Sequence, residues 1–442
     1  MNTPSLQHQV PDLSFLTRLR QHPGLIHPAF GDLARLDAVR MSRESPRPAV
    51  RFTEEDGMMI YLTVTGRCNA HCAGCINSAV TLGNDDPRNL LTTSRESEPE
   101  RDAAIVIRLA EARPEQMITV CFYGGEPFMA TEKMGRIRQI LNHSAIGDRV
   151  RFMVNTNGEL LDRQMDRYPD LMKAIWLYTV SIDGDETQHN RCRPGTHLNV
   201  IEANLKRLKA AADRPVLFWS TLREDQSLTA CFQEFLKLYD AGEVHYLFWH
   251  WAESREPFDH FEDFAGRYGE ELETLLDVYL DRLAKGELLP IIHLNELVIY
   301  LATGRERGHS ACAVELARNF DIMGGQICAC SDLPPEMSLG ELDASGNLDI
   351  TDRDLNPLVA YKDWLGCTRC GVHPYCGGRC PVQALAGDPR RTLQYCQLMR
   401  LHVGIVQQRM TRIETELARH GIDLQAVHDH SAYLTKYTDV VP

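Results

Sequence analysis

Residues 66–75 read GRCNAHCAGC and follow directly on the apolar run Met58–Val64. They place Cys68, Cys72 and Cys75 in a CxxxCxxC loop at the end of a strand-like segment. A structural zinc ion closes with four protein ligands, whereas a catalytic zinc keeps one position open. A cubane iron–sulfur cluster held by three thiolates likewise keeps one iron free for an outside ligand. Sulfur donors suit both groups, so the loop alone leaves both open. Its position says more. In parallel α/β arrays the C-terminal ends of the strands carry the active site.

The chain downstream of the loop is such an array. Strand-like runs occur at Met58–Val64, Met117–Tyr123, Val150–Asn155, Ile175–Ile182, Pro215–Thr221 and Val244–Trp249. Helical patterns lie between them, for example Glu100–Glu111 and Val200–Ala211. This alternation predicts βαβ units and a parallel sheet. A polar cluster closes each of the next three runs: FYGGEP at 122–127, NTNG at 155–158 and SIDGDETQHNRCRPG at 181–195. Paired glycines let backbone approach a ligand closely, and Glu126 offers an acceptor for an ammonium group. Singly, Gly-Gly and Asn-Gly are ordinary turns. Repeated at successive strand ends after a cysteine loop, they converge on one face.

Composition bounds the reading. A chain of 442 residues fits two or three domains. Its 43% apolar and 24% charged content is that of an ordinary globular protein. With 47 basic against 61 acidic side chains the net charge is −14, which disfavours a surface that tracks phosphates, so no nucleic acid partner is expected. The start, MNTPSLQHQVPDLSFL, lacks a basic segment followed by an apolar one, and no apolar run is long enough to span a bilayer. A cytoplasmic location without membrane contact is the expectation. Fourteen cysteines in a reducing compartment point to metal or redox chemistry rather than disulfides. Three lie at 68–75 and eight between Cys312 and Cys396; Cys121, Cys192 and Cys231 are scattered and read as small buried hydrophobes.

The expected organisation is an extension over 1–55, with helical signals at Leu13–Arg20 and Phe30–Arg40, then the alternating array over 56–255. A helical bridge over 256–310 contains the amphipathic stretch Phe258–Lys285. The Cys-rich part spans 311–400, and 401–442 holds the end of a closing helix, read from Leu398 to His420, and a tail.

The series CxxxCxxC, GGEP, TNG and SIDG with a following His and Arg resembles that of radical S-adenosylmethionine enzymes. The resemblance implies an α/β fold, a partial (β/α)6 TIM-like barrel. It makes Cys68, Cys72 and Cys75 the ligands of a 4Fe–4S cluster whose fourth iron is chelated by the cofactor, which explains why there are three. It assigns Gly124, Gly125 and Glu126 to the cofactor amine, Ser181 and Arg193 to its carboxylate, and Asn155 and Asn157 to the pocket wall. The family commonly has an aromatic residue before the third cysteine; here it is Gly74, so the adenine side is built differently.

The second cysteine set is more specific. Cys312, Gly325 and Cys330 precede CTRCGVHPYCGGRC, with Cys367, Cys370, Cys376 and Cys380 at CxxC-x5-C-x3-C spacing, and Cys396 follows. This resembles the Cys-rich SPASM extension, which holds two auxiliary 4Fe–4S clusters, for three clusters in all. By resemblance Cys367, Cys370, Cys376 and Cys396 hold the distal one, and Cys312, Cys330 and Cys380 the proximal one. Cys328 is the candidate for the remaining proximal ligand, against a plain buried thiol; without it, one iron is open.

The implied reaction is reductive cleavage of S-adenosylmethionine to a 5′-deoxyadenosyl radical that abstracts a substrate hydrogen. SPASM enzymes mostly modify peptides, so the leading expectation is a maturase that crosslinks a ribosomally made precursor peptide through a thioether or a cyclophane-type C–C or C–O bond. Such an enzyme draws electrons from a flavodoxin- or ferredoxin-type donor. The short N-terminal extension leaves leader recognition to another part of the chain or to a separate leader-binding protein. The rivals are a formylglycine-forming sulfatase maturase, a peptide epimerase or decarboxylase, and a non-catalytic iron–sulfur electron carrier. The formylglycine reading needs a base just after a cysteine of the second set; Ser331 follows Cys330 and Asp332 comes next, which makes Asp332 the candidate.

Overall fold

All six apolar runs become strands: β1 (Met58–Thr65), β2 (Ile118–Gly124), β3 (Val150–Thr156), β4 (Ile175–Ser181), β5 (Val216–Leu222) and β6 (Tyr246–Trp251). Each pairs in parallel with its sequence neighbour. The computed structural model describes residues 50–52, 57–72, 75, 96–254, 256–316, 319–333, 337–343, 345–350, 353–438 and 441–442. The helical signals at Leu13–Arg20 and Phe30–Arg40 and the position of Gly74 lie outside them.

The strands read as nearly continuous apolar runs because both faces are covered. Outside lie helices α1 (Pro99–Glu111), α2 (Thr131–Asn142), α3 (Leu161–Arg167), α4 (Leu198–Ala211) and α5 (Leu228–Asp240). In α4, Leu198, Ile201, Leu205 and Leu208 form one buried stripe at helical spacing. Inside, Met59, Cys121, Met153, Leu177, Leu217 and Phe248 meet Ile292, Leu434 and Tyr437. The last two come from the 3₁₀ turn Ala432–Tyr437, so a returning C-terminal segment plugs the end of the barrel where the strands start. The polar inner positions lie farther along each strand, toward its C-terminal end.

Beyond the barrel come α6 (Phe261–Leu283), α7 (Ile292–Thr303) and α8 (Pro389–Arg419). The helix expected from Leu398 begins at Pro389, because Asp388 accepts the Arg390 amide at 2.8 Å and proline occupies the first turn. Cys396 therefore sits on the helix, and α8 runs through residue 400 without a break.

The Cys-rich part joins the barrel sheet. β7 (Asn319–Met323) pairs in parallel with β1, and β8 (Gln326–Cys328), β9 (Gly340–Leu342) and β10 (Leu348–Ile350) follow antiparallel. The result is one sheet of ten strands in the order β10-β9-β8-β7-β1-β2-β3-β4-β5-β6. Among the described residues no helix is long and apolar enough to cross a membrane.

Candidate active site

The end of β2 grips the segment that leads into the first cysteine. Gly125 N–H donates to Thr65 O at 2.9 Å and Glu126 N–H to Arg67 O at 2.8 Å. A Cβ on Gly124 would stand 2.3 Å from Thr65 O, and one on Gly125 2.2 Å from Arg67 O. Gly124 also has φ of +125°. The two glycines are thus required by the close approach of the Cys loop rather than by a ligand.

Glu126 departs from expectation. It is fully buried and absent from the pocket wall. Its carboxylate accepts the Asn157 amide at 2.8 Å, the Thr156 hydroxyl at 2.8 Å and the Phe128 amide at 3.1 Å. Burial nevertheless raises this carboxyl to about 7. Glu126 ties β2 to β3. Through Asn157 the tie reaches the loop: Asn157 Nδ2 donates to Asn69 Oδ1 at 2.8 Å and lies 3.9 Å from Cys68 Sγ. The Ala70 amide donates to the same sulfur at 3.4 Å. On the other side His71 N–H donates to Pro194 O at 2.8 Å.

The pocket that these contacts frame is lined by Cys68, Cys72, Cys75, Gly124, Gly125 and Asn155, with Asn157, Ser181 and Arg193. Of the residues expected at the cofactor and its cluster, only Glu126 is missing from it. Asp183 of the SIDG stretch anchors the basic side. It is wholly buried and holds Arg193 Nε at 2.8 Å, Arg223 Nη1 at 2.9 Å and the Thr221 amide at 2.9 Å. Despite its burial, the two guanidiniums keep its carboxyl far below the usual range.

The sequence reading missed Tyr123, Thr179, Trp219, Thr221, Arg223 and His250, which line the same pocket. The signal was available: they follow the two-residue alternation of inward-facing strand positions at the C-terminal ends. His250 Nε2 meets Thr221 Oγ1 at 2.9 Å. Burial, then the charge of Arg379, lowers its pKa to about 3, so the imidazole is neutral.

Two further thiol groups form in the Cys-rich part. Cys367, Cys370, Cys376 and Cys396 surround a small apolar pocket whose wall Cys380 shares. Cys312, Cys330 and Cys380 line a cavity of ≈ 210 Å³ together with Glu253, Asp321 and Asp332. Asp332 thus faces this cavity and not the cofactor pocket. Cys328 is not among the residues that line it, though it is buried on β8 directly opposite Asp321, which does. Two non-glycine residues with positive φ adjoin these thiols, Ala313 at 56° and Arg379 at 60°. Strained backbone of this kind persists where surroundings over-determine it, often at functional sites. Tyr123 lines both the cavity and the cofactor pocket, so the two share a wall.

Fold and site together define an α/β-barrel enzyme that offers three thiols and a polar cradle at its strand ends. Residues 62–219 match the family model of the Radical SAM superfamily, so this part of the chain is a radical SAM domain. Comparison with curated protein sequences gives no match. Among solved structures, native anSMEcpe with bound AdoMet aligns at a TM-score of 0.61 and 16% identity, covering 81% of this chain and 99% of that one. Native anSMEcpe with bound AdoMet and Cp18Cys peptide aligns at 0.57 and 14% identity, covering 80% and 99%. Streptococcus suis SuiB bound to S-adenosylmethionine aligns at 0.44 and 13% identity, covering 84% of each chain. The fold shared with anSMEcpe is a partial barrel with a Cys-rich C-terminal part.

S-adenosylmethionine and one 4Fe–4S cluster belong to this class, and the residues present fit them. Burial pushes the Cys68 thiol up to about 12, so its thiolate needs a cationic partner. No three His, Cys, Asp or Glu side chains among the described residues converge closely enough for one ion.

Proposed function

We propose that this enzyme is a peptide maturase that forms a crosslink, a thioether or a cyclophane-type C–C or C–O bond, in a ribosomally made precursor peptide. The observation that carries the reading is the ≈ 210 Å³ cavity that abuts the cofactor pocket at Tyr123. A peptide side chain seated where the two meet would lie between the cofactor and the group that Cys312, Cys330 and Cys380 hold. That the solved anSMEcpe holds a Cp18Cys peptide on the same fold supports a peptide substrate.

In this reading Cys68, Cys72 and Cys75 hold the first cluster. Backbone at Gly124 and Gly125 binds the cofactor amine, Arg193 and Ser181 its carboxylate, and Asn155 and Asn157 border it. When bound, cluster and cofactor together supply hydrogen-atom abstraction from the substrate. Asp183 keeps Arg193 aimed at the pocket, and Trp219 and the uncharged ring of His250 line it. Cys367, Cys370, Cys376 and Cys396 hold a distal auxiliary cluster; Cys312, Cys330 and Cys380 hold a proximal one. A flavodoxin- or ferredoxin-type protein supplies electrons, and a separate protein binds the leader.

A second reading, oxidation of a Cys or Ser to formylglycine, is favoured by Asp332, which faces the cavity and takes the part of the base. Co-expression with the product of a neighbouring short open reading frame, followed by mass spectrometry, separates the two. A crosslinked peptide resists fragmentation between the joined residues; a formylglycine product reacts with a hydrazide. An unmodified peptide from an enzyme that cleaves S-adenosylmethionine would overturn both for that substrate.

A further inference from the structure

The proximal thiol set is one short. Cys312, Cys330 and Cys380 share the cavity, and Cys328, the only other nearby cysteine in sequence, lies outside it. Four irons with three thiolates leave one iron without a protein ligand, and iron also takes oxygen donors. Four carboxylates face the cavity, Glu253, Glu296, Asp321 and Asp332, and both oxygens of Glu296 are held by Arg307. Asp321 accepts the Ser331 amide at 2.5 Å. Asp332 follows Cys330 closely in sequence.

Asp332 Oδ1 is, like Glu253 Oε2, a buried oxygen of this wall, and what sets Glu253 apart is the buried arginine at its other oxygen. Glu253 lies just past the end of β6, and its side chain is 5% exposed. Oε1 is 2.6 Å from Arg379 Nη2, while Oε2 is buried and has no hydrogen-bond partner among the described residues. An ionised oxygen out of water without a partner is costly, so the site is built for a cationic group at Oε2. The segment is also held rigidly. Ala252 O accepts from Arg391 Nη2 at 2.7 Å, and the Ser254 amide donates to Gln383 Oε1 at 3.0 Å. A carboxylate that ligates a metal is oriented by a hydrogen bond to its other oxygen. Arg379 supplies that bond from a backbone at φ of 60°, one residue before Cys380.

We infer that Glu253 Oε2 is the fourth protein ligand of the proximal auxiliary cluster, closing with a carboxylate the position left open by three thiolates. The inference rests on the proposal that this cavity holds a 4Fe–4S cluster, and it closes to substrate the iron that three thiolates alone would leave open. The peptide is then processed beside the proximal cluster rather than on it.

The test uses the full chain, reconstituted anaerobically, with Cys68, Cys72 and Cys75 changed to Ala so that the first cluster's open iron is absent. This background holds about eight irons if both auxiliary clusters form; four or fewer would overturn the underlying reading and this inference with it. The reduced protein is exposed to ¹³C-cyanide, and ¹³C hyperfine coupling to the cluster is read by pulsed EPR. No coupling is expected while Glu253 is intact. Coupling is expected in Glu253→Ala, and also in Glu253→Gln, which keeps the side-chain volume and a hydrogen bond to Arg379 should the Ala variant not fold. It is expected to vanish again in Glu253→Cys. Equal coupling with Glu253 intact, none in either open variant at unchanged iron content, or coupling that arises in Asp332→Ala instead would overturn the assignment.

Discussion

At the scale of single residues, buried charge decides which contacts are indispensable. Asp183 is wholly buried between Arg193 and Arg223. Removing one member of a buried pair leaves the rest uncompensated, a loss of about 3–5 kcal/mol. Asp183→Asn is therefore expected to lower folding stability by that amount, read from denaturant unfolding, and to weaken S-adenosylmethionine binding by misaiming Arg193. Glu126 makes a pH-dependent contribution. Its carboxyl is raised from 4.5 to about 7 in the fold, so the native state binds the proton more tightly than the unfolded chain. The stability it adds is full below about 4.5 and is lost as the pH rises through about 7. Thermal unfolding of the cluster-free protein between those values should show a falling midpoint that flattens in Glu126→Gln. The same variant turns an amide N–H toward that of Asn157, a mismatch of about 1–3 kcal/mol. It should therefore also loosen the Cys68 loop and lower iron content.

Elements carry the next level. The barrel interior is apolar where the strands begin only because Leu434 and Tyr437 return from the far end of the chain to fill it. Leu434 is fully buried, and truncating such a side chain costs about 2–5 kcal/mol. Leu434→Ala should lower the denaturant midpoint accordingly, and an unchanged midpoint would mean the plug is dispensable. Helix α8 starts at the cap that Asp388 provides and bears Cys396 on its early turns. Asp388→Ala should cost only about 1 kcal/mol, a small shift that leaves the thiol set in place.

For the whole molecule, the test is whether the second thiol region serves the reaction or only the fold. The Cys-rich part extends the barrel sheet through β7 and β1. Its far thiols share Cys380's wall with the nearer set. Binding of a metal group and folding are coupled, so a variant counts only if it stays soluble and keeps the first cluster. In a Cys367→Ala/Cys370→Ala protein that meets this condition, 5′-deoxyadenosine should still form while the peptide product does not. Product formation at the normal rate in protein shown to lack the distal cluster would reduce that cluster to a structural staple.

The parallel strands were legible because a strand covered on both faces must be apolar throughout, and six such runs stand within two residues of β1–β6. The cysteine sets were legible because their spacings are local, and Gly124 and Gly125 stood out because little else fits so near another backbone. Local pattern could not tell a pocket-facing side chain from one turned behind it. Glu126 and Asp183 read alike as acids after a strand, yet one straps β2 to β3 and the other aims two arginines. Trp219, Arg223 and His250 keep the inward alternation that the chain shows, but their meeting in one pocket comes from strands side by side in the sheet. The same holds for Glu253. Its meeting with Arg379 and Cys380 spans more than a hundred residues, and only the closing of β6 against the Cys-rich part creates a buried oxygen that calls for a partner.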